Sequence, residues 1–172
     1  MVTNDGSNPG EAQARRLENV GNELAALLRQ SDVAGRIQNR PGGEDAGNDE
    51  WSVTQILGHM TEMIPYWLEH CHRLIAATGE PPHFGRTLEA AERLAGVEMG
   101  ATGNLGELLG RVESEIQTAA QAIRQMTSEE LGRPGIHLRR GEMTVAQVVE
   151  RFIVAHAEEH LEQVRATLQI KP

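Results

Sequence analysis

The chain has 172 residues and a formal net charge of −9, so it can form one domain with its own core but lacks the basic balance typical of nucleic-acid-binding proteins. Its single cysteine, Cys71, excludes an internal disulfide and agrees with a reducing compartment. The sequence contains no signal-peptide core and no apolar run long enough to span a bilayer. We therefore expect a cytoplasmic protein with a disordered N-terminus at residues 1–10 and a single domain over residues 11–170.

The first predicted element is an amphipathic helix. Apolar residues recur at intervals of three and four from Glu11 to Gln38, as on the buried face of a helix. The following residues 39–49 are polar and rich in glycine, which is typical of a linker.

A second helix is predicted to begin after Ser52 and to end near Ala77. Ser52 is a favourable N-cap, and Gln55 stands three residues later, where it completes a capping box. Pro65 lies inside this helix and predicts a kink, because proline removes one backbone hydrogen bond.

Two more long helices follow a long connection. Residues 86–99 predict a short helix within this connection, and Asn104 is a suitable cap for a third long helix that reaches Met126. Residues 131–143 are irregular, with a small hairpin expected at residues 139–141. A second capping box, Thr144 with Gln147, begins a last helix that ends near Leu168. The sequence thus predicts an all-α four-helix bundle with a long crossing connection between helices 2 and 3.

Two histidines of the last helix are candidate metal ligands. His156 and His160 are four residues apart on the apolar stripe, so their imidazoles are displaced by only about 40° and can converge on one point. The sequence HAEEH is not the zinc-protease signature, because Ala157 occupies the position where that signature has its glutamate base. The histidine pair therefore indicates a metal site of another kind.

His59 lies on the apolar face of the second helix and completes the candidate set. Three imidazoles directed inward from two helices can hold a metal and leave positions open for water or substrate. Unpaired buried imidazoles would destabilise the core by several kcal/mol, and a bound metal would remove that cost. The alternative interpretation is that these histidines are solvated or hydrogen-bonded core residues.

The remaining candidates are weaker. His70 lies at nearly the same helical angle as His59 but roughly 16 Å further along the axis, too far to share a metal. His83 and His137 fall in predicted loops and are expected to be exposed, although His137 could approach the mouth of a pocket. Cys71 is expected to be a core residue and not a nucleophile.

Two motifs together resemble the DinB/YfiT-like family of metal-dependent enzymes. They are WSVTQILGHM, residues 51–60, and GEMTVAQVVERFIVAHAEEHLEQV, residues 141–164. The resemblance covers nearly the whole chain from about residue 11. It implies an up-down-down-up four-helix bundle, a homodimer, and a metal held by one histidine from the second helix and a pair from the fourth. The matching ligands in this sequence are His59, His156 and His160.

The resemblance also implies an activity. Characterised relatives include bacillithiol S-transferases and mycothiol-dependent maleylpyruvate isomerases, which implies a divalent transition metal (zinc, nickel, manganese or iron) and a low-molecular-weight thiol cosubstrate acting on a small electrophilic molecule. Two alternatives remain: a metal-dependent hydrolase that uses no thiol, and a non-catalytic helical module for dimerisation or partner binding. Glu62 and Glu159 are candidates for orienting a histidine, but the favoured interpretation is that both are solvated.

Overall fold

The computed structural model of the protein describes residues 9–40 and 50–169. Most of the predicted disordered N-terminus and of the predicted linker lies outside these residues. None of the helices in the described part of the chain is long and apolar enough to cross a membrane.

The first helix is shorter than the sequence predicted. Helix α1 spans Pro9–Leu28, so residues 9 and 10 are helical, and a short 3₁₀ helix follows at Ser31–Val33. The prediction that the helix reaches Gln38 was wrong, because Gln30 adopts an extended conformation with ψ of 139°. The Ser-Asp pair after it favours turns, since short polar side chains compete for backbone hydrogen bonds.

The second helix begins as predicted. Helix α2 spans Val53–Ala76, and both hydrogen bonds of its capping box are present. The Ser52 hydroxyl accepts a hydrogen bond from the Gln55 amide at 3.3 Å, and the Gln55 side-chain oxygen accepts one from the Ser52 amide at 3.0 Å. Pro65 lies inside the helix, which continues to Ala76.

The connection after α2 contains a helix that packs directly on it. This helix, α3, spans Ala91–Thr102. A Cβ atom added at Gly58 on α2 would lie 2.4 Å from the carbonyl oxygen of Gly96, and one added at Gly100 would lie 2.3 Å from that of Thr54. The two backbones therefore touch, and only glycine permits this approach.

The predicted irregular segment contains a small sheet. Helix α4 spans Leu105–Gln125, and a single turn, α5, spans Ser128–Leu131. Strands β1 (His83–Phe84), β2 (Pro134–His137) and β3 (Gly141–Thr144) then form a three-stranded sheet. β2 pairs antiparallel with β3, which confirms the hairpin and extends it, and parallel with β1, which was not predicted.

The last helix is helical over the predicted range but not uniform. It consists of α6 (Val145–Val148), a π-helical segment (Val149–Val154) and α7 (Ala155–Gln169). The Thr144 capping box is present. A π turn contains an additional residue and shifts the side chains that follow, and such turns are frequent at functional sites.

Ion pairs along the bundle give the direction of the first and last helices. Arg16 on α1 binds Glu158 on α7 at 2.7 Å. Further along both helices, Glu23 pairs with Arg165. The residue numbers increase together, so α1 and the last helix run parallel.

The other two long helices run the opposite way. Arg124 near the end of α4 binds Glu18 at 2.9 Å, whereas Glu113 binds Arg29 at the end of α1, so α4 is antiparallel to α1. The Trp67 ring of α2 stacks on Phe152 at 4.3 Å, while His59, earlier in α2, lies beside His160, later in the last helix. The bundle is therefore up-down-down-up, as the family resemblance implied.

Candidate metal centre

Three histidines from two helices converge in the bundle. His59 is on α2, and His156 and His160 are on α7. Their ring centroids are separated by 5.6 Å (His59 to His156), 5.0 Å (His59 to His160) and 4.6 Å (His156 to His160). One nitrogen from each ring lies within 4.8 Å of the other two. The convergence expected from the sequence is thus present in the fold.

The separations between these nitrogens are close to those between atoms that bind one metal ion. Two nitrogens bound to one zinc ion lie at most about 4.2 Å apart, since each Zn–N bond is about 2.1 Å long. The 4.8 Å limit exceeds this spacing only slightly, so the three nitrogens lie close to the separation of atoms that bind one ion. Among the described residues, no carboxylate or cysteine belongs to this cluster, so three ligands would leave coordination positions open.

Burial keeps the three imidazoles neutral. His59 and His160 are 1% and 7% exposed, and His156 is half-buried. Desolvation, aided by the neighbouring imidazoles, lowers the pKa of His59 to about 2. Desolvation also lowers the pKa of His156 and that of His160 to about 4. At neutral pH each ring therefore offers a lone pair, which metal coordination requires.

The hydrogen bonds of His160 fix which of its nitrogens is free. Nδ1 of His160 donates to the side-chain oxygen of Gln163 at 3.0 Å, so the lone pair is on Nε2. This Nε2 is buried and has no hydrogen-bond partner among the described residues, and the same is true of Nδ1 of His59. Leaving a buried polar atom unsatisfied costs about 1–3 kcal/mol, so the free Nε2 of His160 suits a cation.

Gln163 was not identified from the sequence. Its signal is its position three residues after His160, one helical turn further along α7. Many exposed glutamines share this spacing with a histidine, so the spacing alone does not distinguish a partner from a solvated side chain.

Trp51 covers the histidines from one side. Its ring lies 5.0 Å from that of His59, edge to face, and stacks 6.2 Å from that of His160. The Arg93 guanidinium lies 5.0 Å above the same indole. Trp51 therefore restricts the orientation of two imidazoles and excludes water from that side.

Glu62 is not the solvated side chain that the sequence interpretation favoured. Its side chain is only 16% exposed and forms a two-pronged ion pair with Arg86. One carboxylate oxygen lies 3.8 Å from Nδ1 of His59, slightly beyond hydrogen-bonding distance. The sequence interpretation missed this ion pair because Arg86 lies in the connection after α2. Helical periodicity does not predict where that connection packs. Glu159 is exposed, as expected.

His137 was predicted to be exposed, and this was wrong. It is 5% exposed in strand β2, its ring stacks 5.1 Å from that of Phe152, and its Nδ1 accepts a hydrogen bond from the Arg139 amide at 3.2 Å. The unpredicted sheet is what buries it. His83 is exposed, as expected.

Cys71 and His70 stand outside the histidine cluster. Cys71 is fully buried, and desolvation raises its thiol pKa to about 12. This confirms a core residue, because a nucleophilic cysteine needs an accessible thiolate. His70 packs its ring 4.6 Å from that of Tyr66 and does not join the three histidines.

A pocket of about 390 Å³ opens beside His156. The rings of Trp67, His137 and Phe152 form part of its wall. Its basic lining residues are Arg86, Arg93, Arg139 and Arg140. A small molecule in this pocket would lie next to one member of the histidine cluster.

Comparison with known proteins places the chain in a family. No curated protein matches it significantly. Among solved structures it is similar to YfiT from Bacillus subtilis, described as a probable metal-dependent hydrolase with an unusual four-helix bundle topology, with a TM-score of 0.72 over 92% of this chain and 85% of that one. At 14% identity this likeness shows the fold alone. The family profile of the DinB superfamily matches residues 15–164, and the chain therefore belongs to the DinB superfamily.

Proposed function

We propose that this protein is a metal-dependent enzyme whose divalent transition metal is held by His59, His156 and His160. The observation that carries the proposal is the convergence of three neutral imidazoles, with buried nitrogens that have no partner in the described part of the chain. When bound, such an ion acts as a Lewis acid and lowers the pKa of a water or thiol nucleophile. The description of YfiT as a probable metal-dependent hydrolase agrees with this proposal.

The protein's own residues prepare the site for this chemistry. Burial keeps the imidazoles unprotonated, and Gln163 holds His160 in the tautomer that presents Nε2. Trp51 closes one side. The pocket beside His156 leaves another side open, where a substrate could reach the site.

The reaction we propose is transfer of a small electrophilic group to a nucleophile. The family resemblance of the sequence motifs favours a low-molecular-weight thiol as that nucleophile. The likeness to YfiT favours water, which would make the protein a hydrolase. Turnover of an activated ester in thiol-free buffer would indicate hydrolysis. Turnover of an alkyl or aryl halide only when a thiol is added would indicate S-transfer.

The metal is tested by elemental analysis of the purified protein and of the variant His156→Ala/His160→Ala. We expect about one transition-metal ion per chain in the unchanged protein and almost none in the variant. The control is His72→Ala/His83→Ala, which removes two exposed histidines outside the cluster and should retain the ion. Absence of metal in every sample, even after incubation with zinc, nickel or manganese, would contradict the proposal and favour a non-catalytic interaction module.

A further inference from the structure

We propose that the pocket beside His156 binds the carboxylate or phosphate group of a small anionic molecule. That this molecule is the substrate rests on the proposed function, but anion binding by the pocket does not. The inference follows from the charges that line the pocket, from one buried arginine, and from the aromatic residues in its wall.

The pocket concentrates positive charge in an acidic protein. The chain has 16 basic and 25 acidic residues, yet four arginines and no aspartate or glutamate line this pocket. A pocket lined by one sign of charge attracts the opposite sign, and its low-dielectric walls strengthen that attraction. The composition of the whole chain does not explain this local excess, so it is a property of the site.

One of these arginines is already neutralised. Arg86 binds both carboxylate oxygens of Glu62 and lies 3.9 Å from the centroid of the Tyr66 ring. It therefore forms a fixed part of the wall. The net positive charge of the pocket comes from the other three.

Arg93 contributes a buried positive charge to the pocket. It is 8% exposed, and no carboxylate of the described residues lies within 4.0 Å of it. Its Nη1 donates to the carbonyl oxygen of Leu88 at 2.9 Å, and its guanidinium lies over Trp51. Desolvation lowers the pKa of Arg93, and the carboxylates of Glu62 and Glu89, which lie beyond ion-pair distance, offset this only in part. A negative charge closer to the guanidinium would therefore be favourable. An anion in the pocket would supply that charge beside the histidines.

Arg139 and Arg140 stand at the rim of the same pocket. Both belong to the exposed turn between β2 and β3, and neither forms an ion pair within the described part of the chain. Guanidinium groups bind carboxylate and phosphate oxygens through pairs of hydrogen bonds. Together with Arg93, these residues line the pocket with the hydrogen-bond donors of three guanidinium groups.

The aromatic part of the pocket wall suits the apolar part of such a molecule. The Trp67 and Phe152 rings are nearly parallel, with an interplanar angle of 13°, and His137 stacks on Phe152 at 18°. The three stacked rings form an aromatic part of the pocket wall. The preferred ligand is therefore a small molecule with an anionic group and an apolar part.

The test uses the two tryptophans of the chain. Trp67 lines the pocket, and Trp51 lies against the Arg93 guanidinium. Tryptophan fluorescence is followed during titration with benzoate, phenyl phosphate and uncharged benzamide at constant ionic strength. We expect saturable binding of at least one anion and none of benzamide. The stronger of the two anions identifies a carboxylate or a phosphate as the preferred group.

Two variants separate the pocket from general charge effects. Arg139→Gln/Arg140→Gln should weaken anion binding at least about tenfold, since it removes charge-assisted hydrogen bonds worth more than 1.4 kcal/mol. The control Arg29→Gln/Arg111→Gln changes the net charge equally, but these exposed arginines do not line the pocket. Its affinity should stay within about twofold of the unchanged protein, because surface charges at a distance are screened.

The same titration distinguishes this inference from the metal proposal. Anion binding should persist after bound metal has been removed with a chelator, because the arginines and not the ion hold the anion. Loss of binding on chelation would overturn the inference, as would equal affinity in the Arg139→Gln/Arg140→Gln variant. Failure to find a metal would contradict the proposed function and leave this result unchanged.

Discussion

His160 and Gln163 lie one turn apart on α7, and the His160 Nδ1 donates a hydrogen bond of 3.0 Å to the Gln163 side-chain oxygen. This bond directs the lone pair of the imidazole to its other nitrogen, which is buried and lacks a partner in the described structure. The residue that prepares the candidate ligand is thus a neutral side chain that carries no metal-site signature of its own.

Replacement of Gln163 should therefore weaken metal binding. We expect Gln163→Ala to lower metal affinity about tenfold or more, because partners that orient a metal-binding histidine contribute on this scale. Competition with a chromophoric chelator measures the affinity. Gln163→Glu should restore much of it, since a carboxylate also accepts the Nδ1 proton, and the exposed Gln169→Ala on the same helix is the control. Equal affinity in Gln163→Ala and the unchanged protein would show that the hydrogen bond has no such role.

The metal-free protein should lose stability on acidification. Burial lowers the pKa of His59 to about 2 and that of His160 to about 4, well below the value of about 6.5 in an unfolded chain. Between these values the unfolded state binds more protons, so the free energy of unfolding rises with pH and falls as the pH drops below about 6.5. Each of these two histidines should cost about 2 kcal/mol of stability at pH 5.

Urea unfolding of the chelator-treated protein at several pH values measures this loss. The variant His160→Gln removes one titrating imidazole but keeps a polar side chain of similar size. Its stability should decrease less steeply between about pH 7 and pH 5 than that of the unchanged protein. Parallel pH profiles would mean that His160 does not titrate with the predicted low pKa.

The sequence predicts the helices and the histidine pair of α7 because both depend on local signals. The capping box of Ser52 marks the start of α2, and the spacing of His156 and His160 places both on the inner face of α7. What brings His59 to that pair is the packing of two helices distant in the chain. That packing was expected from the family resemblance and from the apolar face of each helix.

The surroundings of Glu62 and His137 were missed because they depend on contacts between distant segments. Arg86 meets Glu62 only when the connection folds back over α2. His137 is buried because β2 lies between two strands of only two and four residues. Strands this short show no detectable alternation of apolar and polar residues, so periodicity predicts neither the pairing of β1 with β2 nor the pocket beside His137.

The contact between α2 and α3 gives a prediction on stability. Gly58→Ala should destabilise the protein by about 1–3 kcal/mol, because the new methyl group would lie 2.4 Å from the carbonyl oxygen of Gly96 and push the helices apart. The control is Gly110→Ala on the exposed side of α4, where a Cβ would meet nothing within 4 Å. It should instead stabilise the protein by about 0.5–1 kcal/mol through helix propensity. Urea unfolding compares the two, and equal stability changes would show that the backbones can separate without cost.

Loss of the ion pair between Glu62 and Arg86 should destabilise the protein. The Glu62 and Arg86 side chains are 16% and 8% exposed, so Glu62→Gln leaves a mostly buried guanidinium without its counter-charge. We expect a loss of about 3 kcal/mol, as for other buried ion pairs that lose one partner. The matched control is Glu129→Gln, which breaks an exposed pair with Arg133 and should change stability by less than about 1 kcal/mol.

The same variant should also change the pocket. With Glu62 neutral, the charge of Arg86 is no longer cancelled, and the pocket gains one unit of positive charge beside Arg93. Anions should then bind more tightly to Glu62→Gln than to the unchanged protein, while Glu129→Gln should bind them equally well. Tryptophan fluorescence titration in buffer without urea measures the anion affinity of both variants. Weaker anion binding in Glu62→Gln would mean that Arg86 needs its partner to hold the pocket in shape.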